Sequence, residues 1–290
     1  MVILNQSNIY IGTSGWSYPR GEGTWNGYFY PDAKISELEY YSQFFRTVEI
    51  NSSFYHPPSS NQVNKWINQV PDDFLFSVKL WQKFTHPKMF KEATGQNAVA
   101  SASDAILFLN SIEPLIKIGK FGALLAQFPA GFKNDMNGMK ILSNIIKLFG
   151  HLQLAVELRH RSWSDNADVI DLFGEHNVTL VHIDEPKFNT SIASDLPLTG
   201  NIAYFRFHGR NAETWWSGDS ETRYRYLYSS DEIKDLSKSL LKGRRKLKMT
   251  FAYFNNHWQG YAPRNAIDLL KELQLPFKDI LLKTDMIKKE

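Results

Sequence analysis

The chain contains no cysteine, which excludes disulfides, thiolate zinc sites, iron–sulfur clusters and a cysteine nucleophile together. That agrees with a reducing compartment, and a cytoplasmic location is expected. No apolar run approaches the length that spans a bilayer, and the opening MVILNQSNIY lacks a basic stretch followed by an apolar one. A membrane partner and a secretory leader are therefore not expected. Charge of one sign is also scarce: the formal net charge is +3 and the pI is near 8.8, too mild to argue for nucleic acid without a clustered basic face. Gly12, Gly15, Gly21 and Gly23 fall at neither phosphate-loop spacing and read as loop flexibility. Ser14 lacks the GxSxG setting of a nucleophile elbow, and HExxH is absent.

What the chain does have is 290 residues, of which 43% are hydrophobic and 14% aromatic, enough to bury a sizeable core. Eight short apolar or alternating runs are present: 9–14, 47–52, 74–79, 122–128, 152–159, 179–184, 202–208 and 249–255. Stretches of helical spacing lie between most of them. Leu38, Tyr41 and Phe45 form one apolar stripe; Val63, Trp66 and Ile67 form the next. Ile106, Leu109, Ile112, Leu115 and Ile116 mark a third, and Ile141, Ile145 and Leu148 a fourth. Later stripes run through Val169, Ile170 and Phe173, through Ile233, Leu236, Leu240 and Leu241, and through Ile267, Leu269 and Leu270.

Strands that alternate with helices imply a parallel sheet, because each crossover needs a helix. Eight of them predict a single-domain α/β fold over residues 1–290, a (β/α)₈ TIM-type barrel. The segment 185–200, EPKFNTSIASDLPLTG, has no helical period, so an irregular connection is expected between the sixth and seventh strands. The basic run KGRRKLK (242–248) reads as a solvated helix end.

Strand phase follows from asking which alternate positions are apolar throughout, since those must pack under the helices. The other positions point inward. They are Glu49 and Asn51, Ser77 and Lys79, Gln127, Glu157 and Arg159, His182 and Asp184, Arg206 and His208, and Tyr253 and Asn255. Polar residues concentrate at the ends of these strands, where barrels place their active sites. Mutual ion pairing within the ring is the bland reading; Lys79 could form a Schiff base if a carbonyl substrate bound and its proton affinity were lowered, but an ion pair with Glu49 or Glu157 is its expected role.

The segments GTSGWSY (12–18), FYP (29–31), LEYYSQFF (38–45), VEINSSFY (48–55), FSVKL (76–80), LAQFP (125–129), AVELRHRSW (155–163), RFHGR (206–210) and FNNHWQGYAPRNA (254–266) occur in that order. Together they resemble the YecE-like domains of unknown function, family number 72, over essentially the full chain. The resemblance implies a TIM-type barrel and no particular reaction.

Several chemistries compete for the ring. In the first, Lys79, Arg159, Arg206 and Arg210 hold an anionic substrate, phosphate- or carboxylate-bearing, while Glu49, Glu157, Asp184 or His208 handle protons. Asn51, Gln127, Asn255, Trp16 and Tyr55 complete that expected site, which suits a hydrolase or lyase working by acid/base chemistry. No cofactor is firmly implied. In the second, Glu157, His182, Asp184 and His208 share a divalent metal, as in a phosphoesterase or nuclease. Like charges about 4 Å apart repel by about 4 kcal/mol at an effective dielectric near 20, so three ring cations disfavour added metal. In the third, Glu49 and Glu157 are a glycosidase pair. From another class comes a non-enzymatic protein that binds an anion or nucleic acid, whose affinity for a phosphate backbone would fall steeply with salt.

The loop aromatics Trp16, Trp25, Phe54, Tyr55 and Trp163 can stack on a ligand or form a cluster under the loops. The stretch ETWWSGDSETRYRYLY interleaves Trp215 and Trp216 with Arg223, Tyr224, Arg225 and Tyr226, which suits an anionic ring-bearing ligand.

Overall fold

The computed structural model describes residues 8–31, 34–165, 167–217, 220–242 and 247–278. Most of the basic run at 242–248 lies outside the described residues.

The apolar runs form strands β1 (Ile9–Thr13), β2 (Thr47–Ile50), β3 (Leu75–Lys79), β4 (Phe121–Gln127) and β5 (Leu154–Glu157). The sixth run is interrupted at Val181 and yields two short pieces, β6 (Thr179–Leu180) and β7 (His182–Asp184); β8 (Ile202–Phe207) and β9 (Met249–Phe254) follow. All pairings among them are parallel. One sheet has the order β2-β3-β4-β5-β6 and the other β1-β9-β8-β7. The fold is therefore α/β with parallel sheets.

Helices cross between the strands and bury one face each. The larger ones are α2 (Ser60–Ile67), α5 (Ala102–Lys117), α6 (Met136–Phe149), α7 (Ala167–Glu175), α9 (Ser230–Leu241) and α10 (Tyr261–Glu272), with the shorter α1 (Glu37–Tyr41), α3 (Gln82–Thr85), α4 (Pro87–Thr94) and α8 (Ser220–Arg223). Capping boxes fix where two of them start, Ser101 with Asp104 and Ser229 with Glu232. In α5 the buried stripe is Ala105, Phe108, Ile112 and Leu115, while Ile106 and Ile116 face outward. The expected stripe was thus right in period and partly wrong in phase. No helix lies between Glu185 and Asn201, as the sequence led one to expect. Among the described residues no helix is long and apolar enough to cross a membrane.

Alternate strand residues go to two separate cores. Val48, Ile50, Phe76, Val78, Leu124, Ala126, Val156, Phe205, Phe207 and Phe254 pack with the helices. Ala123, Leu125, Ala155, Val181, Ile202, Tyr204, Phe251 and Tyr253, drawn from both sheets, form a second buried cluster. Val181 joins this cluster, and Ile183 packs against it. His182 and Asp184 consequently point the other way, which reverses the phase expected for the sixth strand.

At their other edges the sheets approach through β1 and β2. The Gly15 N–H donates to the Glu49 carbonyl at 2.8 Å, and Ser14 forms a parallel bridge with Glu49. Tyr41 ties the two strands: its hydroxyl accepts from the Thr13 N–H at 2.9 Å and donates to the Thr47 carbonyl at 3.1 Å. Gly12 lies inside β1, and a Cβ there would sit 2.2 Å from the Thr47 oxygen. Its role is close backbone approach, not the loop flexibility read from the sequence. Gly12→Ala is expected to cost about 1–3 kcal/mol through overpacking, read as a lower denaturant midpoint at unchanged slope. An unshifted midpoint would show that β1 and β2 can separate freely.

Candidate functional site

The strands deliver their polar residues to one place. Asn51 follows β2, Lys79 ends β3, Gln127 ends β4, Arg159 lies just past β5, Arg206 is in β8 and Asn255 follows β9. All six line a cavity of about 510 Å³ at the carboxyl ends of the strands. Trp16, Tyr55, Tyr224 and His257 wall it from the loops.

Beneath the cavity floor runs a buried chain of charges. Arg206, 2% exposed, donates through Nε to Glu49 Oε2 at 3.0 Å and through Nη2 to Glu49 Oε1 at 2.7 Å. Its Nη1 donates to Glu157 Oε2 at 2.6 Å. Glu157 Oε1 then accepts from Arg159 Nε at 2.7 Å, with Arg159 Nη2 also 2.6 Å away. Arg159 Nη1 reaches Glu185 Oε2 at 3.1 Å, a charge contact without hydrogen-bond alignment. The Tyr204 hydroxyl completes Glu49 at 2.7 Å. The sequence of charges is Glu49, Arg206, Glu157, Arg159, Glu185. Three carboxylates face two guanidiniums, so when all are ionised the chain carries one net negative charge.

Lys79 can offset that charge without touching it. Among the described residues no hydrogen bond or ion pair holds its ammonium, which lies over the Phe54 ring, 4.1 Å from the centroid. Burial, and then the Arg206 guanidinium, bring its pKa down to about 7. Burial alone would raise the Glu157 carboxyl, but Arg206 and Arg159 hold it well below the ordinary carboxylate range. His208 is fully enclosed, and burial followed by Arg159 lowers its pKa to about 3, so the ring is neutral. Arg159 Nη2 lies 3.1 Å from His208 Nε2 and the Asn255 amide nitrogen 3.0 Å from Nδ1; both neighbours only donate, and a neutral imidazole can accept from one of them.

Several expected roles change with this geometry. Glu49 and Glu157 are 0% exposed and are bridged by the Arg206 guanidinium, so they cannot flank a sugar as a free carboxylate pair. Their satisfaction by arginines is the bland reading made concrete, and it leaves Lys79 outside the ion pairing expected of it. His208 is too enclosed and too weakly basic to exchange protons near neutrality. Asp184 faces away from the cavity, held by Arg210 at 2.8 Å and by the Tyr228 hydroxyl at 2.8 Å. Arg210 is committed there too, and Glu232 also pairs with it at 2.9 Å. His182 packs on Phe205 and responds to Asp195 and Lys242 on the outside. Glu157, His182, Asp184 and His208 therefore do not converge on one cation, and among the described residues no group of three or more His, Cys, Asp or Glu could hold a metal.

The loop aromatics divide between the two roles considered for them. Trp163 stacks on Phe132 and donates to its carbonyl at 2.7 Å, while Trp25 is 0% exposed among Tyr18, Phe29 and Tyr30. These two are structural. Trp16, Tyr55 and Phe54 line the cavity.

A model of the family described as "Protein of unknown function DUF72" matches residues 10–289. The chain belongs to the DUF72 family. It is 28% identical over 289 residues to the UPF0759 protein YunF of Bacillus subtilis, covering 94% of this chain and 97% of that one. The UPF0759 protein YecE of Escherichia coli K12 is 29% identical over 154 residues, 52% of this chain and 48% of that one. Among solved structures, a DUF72 family protein of Thermotoga maritima superposes with a TM-score of 0.79 at 35% identity, covering 92% of this chain and 99% of that one. One from Enterococcus faecalis gives 0.79 at 29%, covering 94% and 98%.

In this DUF72 chain, sequence reading missed Glu185, His257 and Tyr18 as site residues, while Tyr224, singled out within its basic–aromatic stretch, does line the cavity. Glu185 could have been found had Val181 and Ile183 been taken as the core-facing pair of the sixth run. Tyr18 stacks on His257 with ring centroids 4.6 Å apart, and no local pattern signals a contact between residues so distant in sequence.

Proposed function

We propose that this DUF72 chain binds an anionic small molecule bearing a carboxylate or phosphate in the cavity above Arg159 and Arg206, and that Lys79 handles the proton of an acid/base reaction there. The observation that carries this reading is the ammonium of Lys79, without a hydrogen-bond or ion-pair partner among the described residues, at the wall of a cavity whose arginines are already paired. The two guanidiniums are locked by carboxylates, and the lysine is the cation with donors to spare. Asn51 Oδ1 is buried without a donor, so a hydroxyl on the ligand is the complement expected beside the anion. This reading gives protons to Lys79 in place of Glu49, Glu157, Asp184 and His208. It keeps Asn51, Gln127, Asn255, Trp16 and Tyr55 as ligand contacts, and a cytoplasmic location belongs with it.

The same reading takes the two parallel sheets as parts of one closed (β/α)₈ barrel, with β6 and β7 as one interrupted strand. The Val181 N–H, bonded to the Val156 carbonyl at 3.0 Å, supports continuity at that point. The Ser14–Glu49 bridge supports closure between β1 and β2. The cavity would then be the barrel's catalytic mouth.

Titration calorimetry with inorganic phosphate tests the anion site. Lys79→Met is expected to weaken binding by about tenfold to a hundredfold, since a hydrogen bond to a charged group contributes about 1.5–3 kcal/mol. Wild-type affinity should fall as pH rises through 7, where the lysine loses its proton. Equal phosphate affinity in both proteins would remove Lys79 from the site.

A further inference from the structure

Lys79 stands at the end of β3, at the cavity wall and over the face of Phe54, and among the described residues no acceptor holds its ammonium. From this geometry we propose that Lys79 is a nucleophilic amine that forms an imine with a carbonyl substrate carrying a carboxylate or phosphate. The proposal rests on the anion reading above and adds the reacting group of the ligand.

A lysine that only balanced charge would be expected against a carboxylate. Here Glu49 and Glu157 are close enough to act on Lys79 electrostatically, yet both are taken by Arg206, and Glu157 also by Arg159. His86, packed edge-on against Phe54 with ring centroids 5.0 Å apart, also feels the lysine: its pKa is lowered to about 4 by burial and then by Lys79, hence it is uncharged. The charged groups around the amine are therefore Arg206, Arg159, Glu49 and Glu157. Burial and the Arg206 guanidinium prevail over the carboxylates, leaving a large fraction of neutral amine near pH 7.

The step is redox-neutral. The neutral Nζ adds to the carbonyl carbon, the C–N bond forms, and one nitrogen proton moves to the carbonyl oxygen. A proton taken from solvent onto that hydroxyl and the loss of water let the nitrogen lone pair form the C=N bond, leaving a protonated imine. Hydrolysis reverses the sequence, and no other reactant is required.

The test uses the full chain, glyoxylate as the smallest anionic aldehyde, and sodium cyanoborohydride to reduce any imine, with modified lysines mapped by peptide mass spectrometry at pH 7. Lys88, whose side chain is 91% exposed, is the internal reference. Lys79 is expected to be modified about ten to a hundred times faster than Lys88, because the neutral amine is about a thousandfold more abundant than in an ordinary lysine and lower basicity returns part of that gain. The fast phase should vanish in Lys79→Arg. Modification of Lys79 no faster than of Lys88, or a fast phase that persists in Lys79→Arg, overturns the proposal. Inorganic phosphate separates it from the reading beneath it. Fast labelling that phosphate does not slow supports the imine and removes the anion site; unreactive Lys79 with phosphate still bound in calorimetry overturns the imine and leaves the anion site standing.

Discussion

Arg206→Met is expected to destabilise the protein by about 3–5 kcal/mol, the range for removing one partner from a buried ion pair. Arg206 is the only cation in contact with Glu49 among the described residues, and Glu49 would be left with one hydroxyl donor, from Tyr204. Glu157 would keep Arg159. A buried carboxylate left without a countercharge is what makes the loss large. The acid side of the wild-type curve is set by Glu157. Its carboxyl is held well below the ordinary range, so the stability this carboxylate contributes is present above its unfolded pKa and is lost as pH falls through the folded one. Denaturant midpoints measured across acid pH for both proteins should therefore converge. Adding Glu49→Gln to Arg206→Met should recover part of the loss. A variant as stable as wild type at pH 7 would show that the carboxylates do not depend on Arg206, and the charge chain would lose its meaning as scaffold.

The same chain explains how much could be read beforehand. Strand parity was legible because outward residues must be apolar to pack under helices: Val48 and Ile50, Phe205 and Phe207 leave no choice of face. That placed Glu49, Glu157, Arg159, Arg206 and Asn255 together correctly. It failed in the sixth run, where the apolar parity, Val181 and Ile183, packs on the interior cluster and His182 and Asp184 on the other face are only half-buried, so the rule that the apolar face is the outward one picks the wrong side. Asp184 was assigned to the ring in consequence, and Glu185 was not. Pairing was harder still. Whether Lys79 or Arg159 takes Glu157 depends on distances of a few ångströms across strands, and arginine prevails because its planar fork can serve two carboxylates at once, as Arg206 does. Identical formal charges in the sequence thus separate into a locked framework and one available amine.

That amine should also leave its mark on stability. The lysine pKa falls from 10.5 unfolded to about 7 folded, so below pH 7 both states are charged and folding bears the whole cost of burying the ammonium. Between about 7 and 10.5 the unfolded chain binds a proton that the folded chain does not, and wild-type stability rises with pH through that window. Above it the cost is gone. Lys79→Met keeps a similar volume without the charge, loses a cation–π contact of about 1 kcal/mol with Phe54, and should lack this slope. At pH 6 it is therefore expected to be more stable than wild type, by on the order of 3 kcal/mol, and the two curves should meet near pH 10. Comparing variant with wild type cancels every other titrating group that is not coupled to Lys79. Inorganic phosphate should raise the lysine pKa and lessen the wild-type slope between 7 and 10.5, because a bound anion favours the charged amine. A protein that gives up stability to keep an unpaired lysine beside two arginines holds it for what enters the cavity, and parallel stability curves for the two proteins would show that no such cost is borne.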